Sequence, residues 1–242
     1  MKFGQEFMGI KGGWSGMLRD PDFSYADPLI TIVDDEDAVR RSLIDLFGSF
    51  DMPAIAFDGP AQFLAAFDPE RPGCLLLDID MPGLTGLQLQ SKLVEMGAIH
   101  PVLFITGYED VRMSIDAMKA GAADYFLKPF DSVKVVAAAV DAIQLDRERR
   151  SERQNLDAAR HCFAKLTPRE REVLKFVTDG LLNKQIAWEM GISEIMVKLH
   201  RGRMMKKMEC RSLSDLVRRF DQLLSIRADA SDMIGLPISA SA

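Results

Sequence analysis

Cysteine is scarce in this chain: Cys74, Cys162 and Cys210 are the only three, they lie far apart, and no Cys-x-x-Cys pair occurs. An odd, scattered set argues against both a disulfide framework and a zinc site, and leaves three buried or incidental thiols. Long apolar runs are missing too. No stretch approaches the roughly twenty residues that span a bilayer, and the amino end lacks a basic segment followed by an apolar one. Neither a transmembrane helix nor a secretory signal is expected, and the expected location is the cytoplasm.

What is there is a 48% hydrophobic, 27% charged chain of 242 residues, long enough for two domains with real cores. The net charge of −6 conceals a division. Residues 29–140 hold 17 acids and 8 bases, whereas residues 160–220 hold 14 bases and 7 acids. One half attracts cations and the other attracts phosphate backbones.

Residues 1–28 carry five glycines without a sustained period and read as a flexible amino-terminal arm. From Leu29 the texture changes. Leu29–Val33, Ala54–Phe57, Cys74–Asp78, Val102–Thr106 and Asp124–Leu127 read as strands. Between them, apolar stripes mark helices: Val39, Leu43, Phe47 and Phe50; Phe63, Leu64 and Phe67; Leu87 to Met96; and Val111, Ile115 and Met118. Five strands alternating with helices predict a doubly wound, five-stranded parallel sheet over residues 29–145. A further helix is expected after a cap at Asp131 or Ser132, with Val133, Val136, Val140 and Ile143 on one face. Its continuation, residues 146–165, reads as a helical linker, because Asp146 to Gln154 is charged all round and either projects into solvent or pairs with a partner.

Thr167-Pro168-Arg169-Glu170 forms a capping box with proline at the first helical position, and opens a four-helix domain over residues 166–226. A short helix from Asn183 to Met190, a turn at Gly191-Ile192-Ser193 and a third helix from Glu194 to about Met208 make a helix-turn-helix. Leu213, Leu216, Val217 and Phe220 mark the fourth helix. Residues 227–242 are small and polar enough to be a disordered tail.

The chemistry gathers around Asp78. An apolar run delivers this acid to a strand end, and Met81-Pro82-Gly83 then turns the chain. Asp34 and Asp35 follow the first strand, Thr106 ends the fourth and Lys128 follows the fifth, so a parallel sheet brings all of them to one edge. Three carboxylates near 4 Å repel by about 4 kcal/mol per pair at an effective dielectric of about 20, which calls for a divalent cation. Oxygen ligands favour Mg2+. Lys128 then offers an incoming phosphoryl group a fixed positive charge, Thr106 offers a hydroxyl donor, and Asp78 serves as nucleophile.

In these motifs residues 29 to about 145 resemble the receiver domain of two-component response regulators. The resemblance implies phosphotransfer from a sensor histidine kinase to Asp78, and metal binding by Asp35 and Asp78 with help from Asp34 and the backbone carbonyl of Asp80. It also implies an aromatic switch at Tyr125. Residues 166–220, through LTPREREVL, GLLNKQIAWEMGIS and VKLHRGRMMKKM, are similar to the LuxR-type DNA-binding domain. Together they make the chain resemble the FixJ and NarL group of transcriptional regulators. That implies a homodimer on phosphorylation, promoter DNA as partner, RNA polymerase as a further one, and no enzymatic turnover beyond slow self-dephosphorylation. Met196 departs from the pattern, standing where the family usually has threonine.

Lys198, His200, Arg201, Arg203, Lys206 and Lys207, with Lys184 in the preceding helix, are the candidate DNA contacts. Val197, Met204 and Met208 fit a core-facing stripe. Lys198 and Arg201 are expected to point outward to the major groove, and Lys206 and Lys207 to reach phosphates. Two competing readings exist. Asp78-Ile-Asp80 also resembles the first motif of haloacid-dehalogenase-type phosphatases, but those need an acidic pair downstream of their lysine, and here the pair precedes Asp78. An RNA-binding antiterminator output is the other, disfavoured by the capped helix-turn-helix and its basic third helix.

Overall fold

The computed structural model describes residues 27–107 and 111–225. The arm expected over residues 1–28, apart from Asp27 and Pro28, and the tail expected over 227–242 lie outside the described residues. The chain divides into two compact units between Arg150 and Ser151.

In the first unit β1 (Leu29–Val33), β2 (Ala54–Phe57), β3 (Gly73–Asp78), β4 (Val102–Thr106) and β5 (Asp124–Leu127) form one parallel sheet in the order β2-β1-β3-β4-β5. The three central strands are buried along their whole length, which explains their mostly apolar sequences. Side chains alternate between two cores. Ile30, Ile32 and Leu76 meet α1 (Asp37–Ser49) and α5 (Ser132–Ala164) through Leu43, Phe47 and Val135. Val33, Leu75 and Leu77 meet α2 (Pro60–Ala66), α3 (Gly86–Glu95) and α4 (Val111–Lys119) through Phe63, Leu89 and Ala117. The strand order reverses between β1 and β3, so their carboxyl ends open a crevice suited to a ligand.

Three stripes differ from expectation. Phe50 lies just beyond α1 and is exposed; Ile115 and Met118 face outward while Ala117 is the buried residue of α4; and Val133 is exposed while Val135 and Val136 are buried. In each case bulky residues suggested the inner face. Small alanines (Ala117, Ala139, Ala142) are what let α4 and α5 lie close to the sheet. Asp131 supplies the cap of α5, its Oδ1 accepting the Val133 N–H at 2.9 Å and its carbonyl the Val135 N–H at 3.1 Å.

The charged stretch after Ala142 is not uniformly solvated. Asp146 is fully buried, and its Oδ2 accepts from the Gly73 N–H at 3.0 Å and from Arg150 Nε at 2.8 Å. Arg150 goes on to donate to the carbonyls of Pro69, Glu70 and Arg71. A loop whose carbonyls turn inward needs donors, and a guanidinium offers several from one side chain. Thus Asp146–Arg150 belongs to the sheet's unit. The run from Ser151 to Ala158 is the largely exposed part.

His100 sits beside this clamp, its Nε2 2.7 Å from the Arg71 carbonyl and its ring edge-on to Phe67. Burial holds its imidazole below the ordinary histidine range, with Arg150 adding to that effect and the Arg71 carbonyl, Asp146 and Asp68 opposing it. A histidine depressed in this way takes its proton first in the unfolded chain. Stability is therefore full above the unfolded value of about 6.5 and declines as pH falls below it. Hydrogen exchange of the sheet amides at roughly pH 7.5 and pH 5.5 should show a loss at the lower pH that His100→Gln reduces, by no more than about 1.4 kcal/mol per pH unit.

The second unit contains α6 (Pro168–Thr178), α7 (Asn183–Met190), α8 (Glu194–Lys207) and α9 (Leu213–Ser225). Its core draws Cys162 and Leu166 from the chain before α6, and Val173, Ile186, Met204 and Leu216 from the four helices. The capping box forms as read: Thr167 Oγ1 accepts the Glu170 N–H at 3.4 Å, and Glu170 Oε2 accepts the Thr167 N–H at 2.8 Å. Gly191, left-handed at φ 63°, ends α7 and makes the turn into α8. Among the described residues no helix is long and apolar enough to cross a membrane. All three cysteines are free and buried.

Candidate functional site

The sheet brings Asp34, at the end of β1, and Asp78, at the end of β3, to the crevice on either side of the order reversal. Both are buried. Lys128, just past β5, lies between them, with its Nζ 2.8 Å from Asp34 Oδ2 and 3.1 Å from Asp78 Oδ1. A third carboxylate, Glu36, reaches the same ammonium at 2.8 Å. Backbone amides fix the acids from the other side: the Glu36 N–H donates to Asp34 Oδ1, and the Asp80 N–H donates to Asp78 Oδ2, each at 2.8 Å. Thr106, fully buried, holds the Lys128 N–H through its carbonyl at 2.7 Å, which ties the ends of β4 and β5 together. Tyr125 is half-buried on β5 and packs against the core of α2, α3 and α4.

Burial pushes the Asp78 carboxyl above the ordinary carboxylate range, against the opposing pull of Lys128. Burial would likewise depress the Lys128 ammonium, yet Asp34, Glu36 and Asp78 together outweigh it and hold the group above the ordinary lysine range. The partners differ because one ammonium is shared three ways. It gains from all three carboxylates, whereas Asp78 receives only a share of its charge.

The two adjacent acids differ in exposure, Asp34 being buried. Asp35 is exposed, and among the described residues no group of three acidic, histidine or cysteine side chains is assembled closely enough to hold an ion by itself. Asp34 directly follows the buried strand β1, whereas Asp35 stands in the bend beyond it. Glu36 was not foreseen. Its place in the acid run Asp34–Asp37, as the residue before α1, was the available signal.

In the second unit α8 buries Val197, Met204 and Met208 as expected, and exposes Lys198, Arg203 and Lys206. Lys184 on α7 is exposed, and His200 is half-buried. Arg201 does not point freely outward, because its Nη1 donates to Asn183 Oδ1 at 3.1 Å. Nor is Lys207 available to phosphates in this arrangement: its Nζ lies 2.6 Å from Glu170 Oε2, a carboxylate that is nearly inaccessible. A buried acid demands a cation, and Lys207 is that cation. Ser193 caps α8, accepting the Met196 N–H at 3.3 Å, so the methionine in the threonine position leaves the helix start intact.

Residues 30–140 match the response regulator receiver domain, and residues 164–220 match the bacterial regulatory proteins of the luxR family. Nodulation protein W of Bradyrhizobium diazoefficiens is 41% identical over 204 residues, covering 84% of this chain and 89% of that protein. Response regulator protein TodT of Pseudomonas putida is 40% identical over 195 residues, covering 81% and 86%. Among solved structures, the response regulator StyR superposes with a TM-score of 0.73 at 41% identity, over 81% of this chain and all of that one. Full-length FixJ from B. japonicum gives 0.51 at 34% identity, over 83% and 98%. TodT and StyR are named as response regulators rather than phosphatases, and the luxR-family match over residues 164–220 of this chain sets aside the antiterminator reading. With a parallel sheet that gathers Asp34, Asp78 and Lys128 at one edge and a capped helix-turn-helix beyond it, the chain belongs to the two-component response regulators, as a transcription regulator with a LuxR-type DNA-binding domain.

Proposed function

We propose that Asp78 is the phosphoacceptor, charged by a sensor histidine kinase in a Mg2+-dependent step, and that this modification controls dimerisation and promoter binding in the cytoplasm. The observation that carries the reading is the position of Lys128 Nζ, within 3.1 Å of Asp78 and 2.8 Å of Asp34. An Asp78 carboxylate oxygen forms the new bond to phosphorus while the bond from phosphorus to the kinase histidine breaks, and the product is an acyl phosphate. Lys128 offers the transferred group positive charge and Thr106 offers its hydroxyl. Tyr125 on the neighbouring strand is the aromatic that follows Thr106.

Three carboxylates around one ammonium leave the site two negative charges in excess, with oxygen donors only, which fits a hard divalent cation. Asp35 and Asp78, with Asp34 and the Asp80 carbonyl, would hold Mg2+, which when bound supplies charge neutralisation at the phosphoryl oxygens. Incubation with a small phosphodonor and Mg2+ should add one phosphoryl group to the intact mass. A stable adduct on Asp78→Asn, or full labelling in a chelator, contradicts the assignment.

Dimerisation is assigned to the face of α4, β5 and the start of α5, where Met113, Ile115, Met118, Leu127 and Val133 are exposed and Tyr125 lies close by in sequence. Sedimentation of the full chain with and without a phosphoryl mimic should show a monomer turning to a dimer at tens of micromolar, on the order of the concentrations used for such weak pairs. An unchanged monomer points instead to relief of inhibition within one chain. On the output domain Lys198 and Arg203 are assigned to the major groove and Lys184 and Lys206 to phosphates, with His200 beside them. Arg201 and Lys207 shape the domain through Asn183 and Glu170. RNA polymerase is the further partner of the DNA-bound dimer.

A further inference from the structure

The outward face of α8 is apolar where the charge count leads one to expect cations. Ile195 is 78% exposed and Leu199 43%. With Gly202 and Lys206 they recur at intervals of four, three and four residues, which is one continuous stripe on a helix. That stripe lies opposite Val197 and Met204, which are fully buried. Lys198 and Arg203 flank it.

Gly202 gives a second, independent sign. Glycine is unfavourable inside a helix, and a Cβ built at Gly202 meets nothing within 4 Å. The protein's own packing therefore has no use for it. A bare backbone on the outward side of a helix is useful where something outside must come close.

Resting on the reading of α8 as the helix that enters the major groove, we propose that Ile195 and Leu199 determine sequence specificity by packing on thymine C5-methyl groups, while Gly202 lets the helix lie close to the base edges. The thymine methyl is the one apolar group exposed in that groove, and an aliphatic side chain at the amino end of a recognition helix is its natural partner. The flanking cations, Lys198 and Arg203, suit the acceptor-rich base edges of that groove rather than an apolar protein surface, which makes duplex DNA the occupant.

The test uses the full chain with a phosphodonor and Mg2+. A pool of random duplexes is enriched on it, and each thymine of the selected sequence is replaced in turn by deoxyuridine, which deletes the methyl alone. One or two thymines in each half-site should lose about fourfold in affinity, the share of one buried methyl. Ile195→Ala or Leu199→Ala should lose a similar factor on the thymine duplex and become indifferent to uracil at one of those positions. Both residues are exposed and alanine favours helix, so neither variant endangers the fold. Specific binding in which every thymine tolerates uracil overturns this proposal alone. Failure to enrich any duplex overturns the assignment of α8 as the reading helix, and this proposal with it.

Discussion

Lys128→Ala is expected to destabilise the first unit by about 3 to 5 kcal/mol at neutral pH, the usual cost of removing one partner from a buried ion pair. The Lys128 side chain is 13% exposed, with Asp34 at 2% and Asp78 at 5%, so both acids lose their counter-charge in a poorly solvated place. Glu36, at 60%, turns to water and contributes little. The sign of the pH dependence follows. Without the ammonium the Asp78 carboxyl, already raised by burial, rises further, so the variant regains stability as pH falls and this group takes up a proton. Hydrogen exchange of the β1 and β3 amides reports this unit alone and avoids treating two domains as one transition. Millimolar-scale Mg2+ should restore part of the loss by binding the folded site. A loss below about 1 kcal/mol, independent of pH, means that Lys128 is not what balances the acids.

Gly86→Ala should be as damaging, through geometry rather than charge. A Cβ at Gly86 falls 2.2 Å from the carbonyl oxygen of Asp78, and the Gly86 N–H donates to the Ile79 carbonyl at 2.9 Å. The first turn of α3 therefore rests directly on the backbone that carries Asp78. Backbone cannot yield as a flexible side chain does, so α3 must lift and the loop from Ile79 to Thr85 must move with it. Overpacking commonly costs 1 to 3 kcal/mol and more where backbone is struck, so at least about 3 kcal/mol is expected here. Phosphoryl labelling should fall more than tenfold because the Asp80 N–H that orients Asp78 is in the displaced loop, and each 1.4 kcal/mol of misplacement is about tenfold in rate. Normal stability with normal labelling would contradict a direct contact between the first turn of α3 and the Asp78 backbone.

The three central strands were legible because burial on both faces leaves nearly continuous apolar runs. The edge strands β2 and β5, only partly buried, were legible as short apolar runs between helical patterns, and β3 alone starts one residue earlier than expected, at Gly73. The gathering of Asp34, Asp78 and Lys128 was legible for a topological reason: parallel strands end on one side. Details were lost where charge was read without direction. Arg201 lies four residues after Val197 and three before Met204, so the helical period itself turns it towards the domain, where Asn183 receives it. Lys207, three after Met204, is turned the same way and meets Glu170. Asp146 was hidden more deeply. Its Gly73 partner is 73 positions away, and a run of charges carries no sign that one member will be enclosed.

Genome-wide occupancy of the DNA, compared between the wild-type chain and Asp78→Asn under conditions that activate the kinase, joins the two halves of the molecule in one experiment. The wild type should occupy a defined set of promoters, and Asp78→Asn should lose most of that occupancy while remaining folded and equally abundant. Equal occupancy by the two proteins at the same promoters would contradict control of DNA binding by phosphorylation at Asp78.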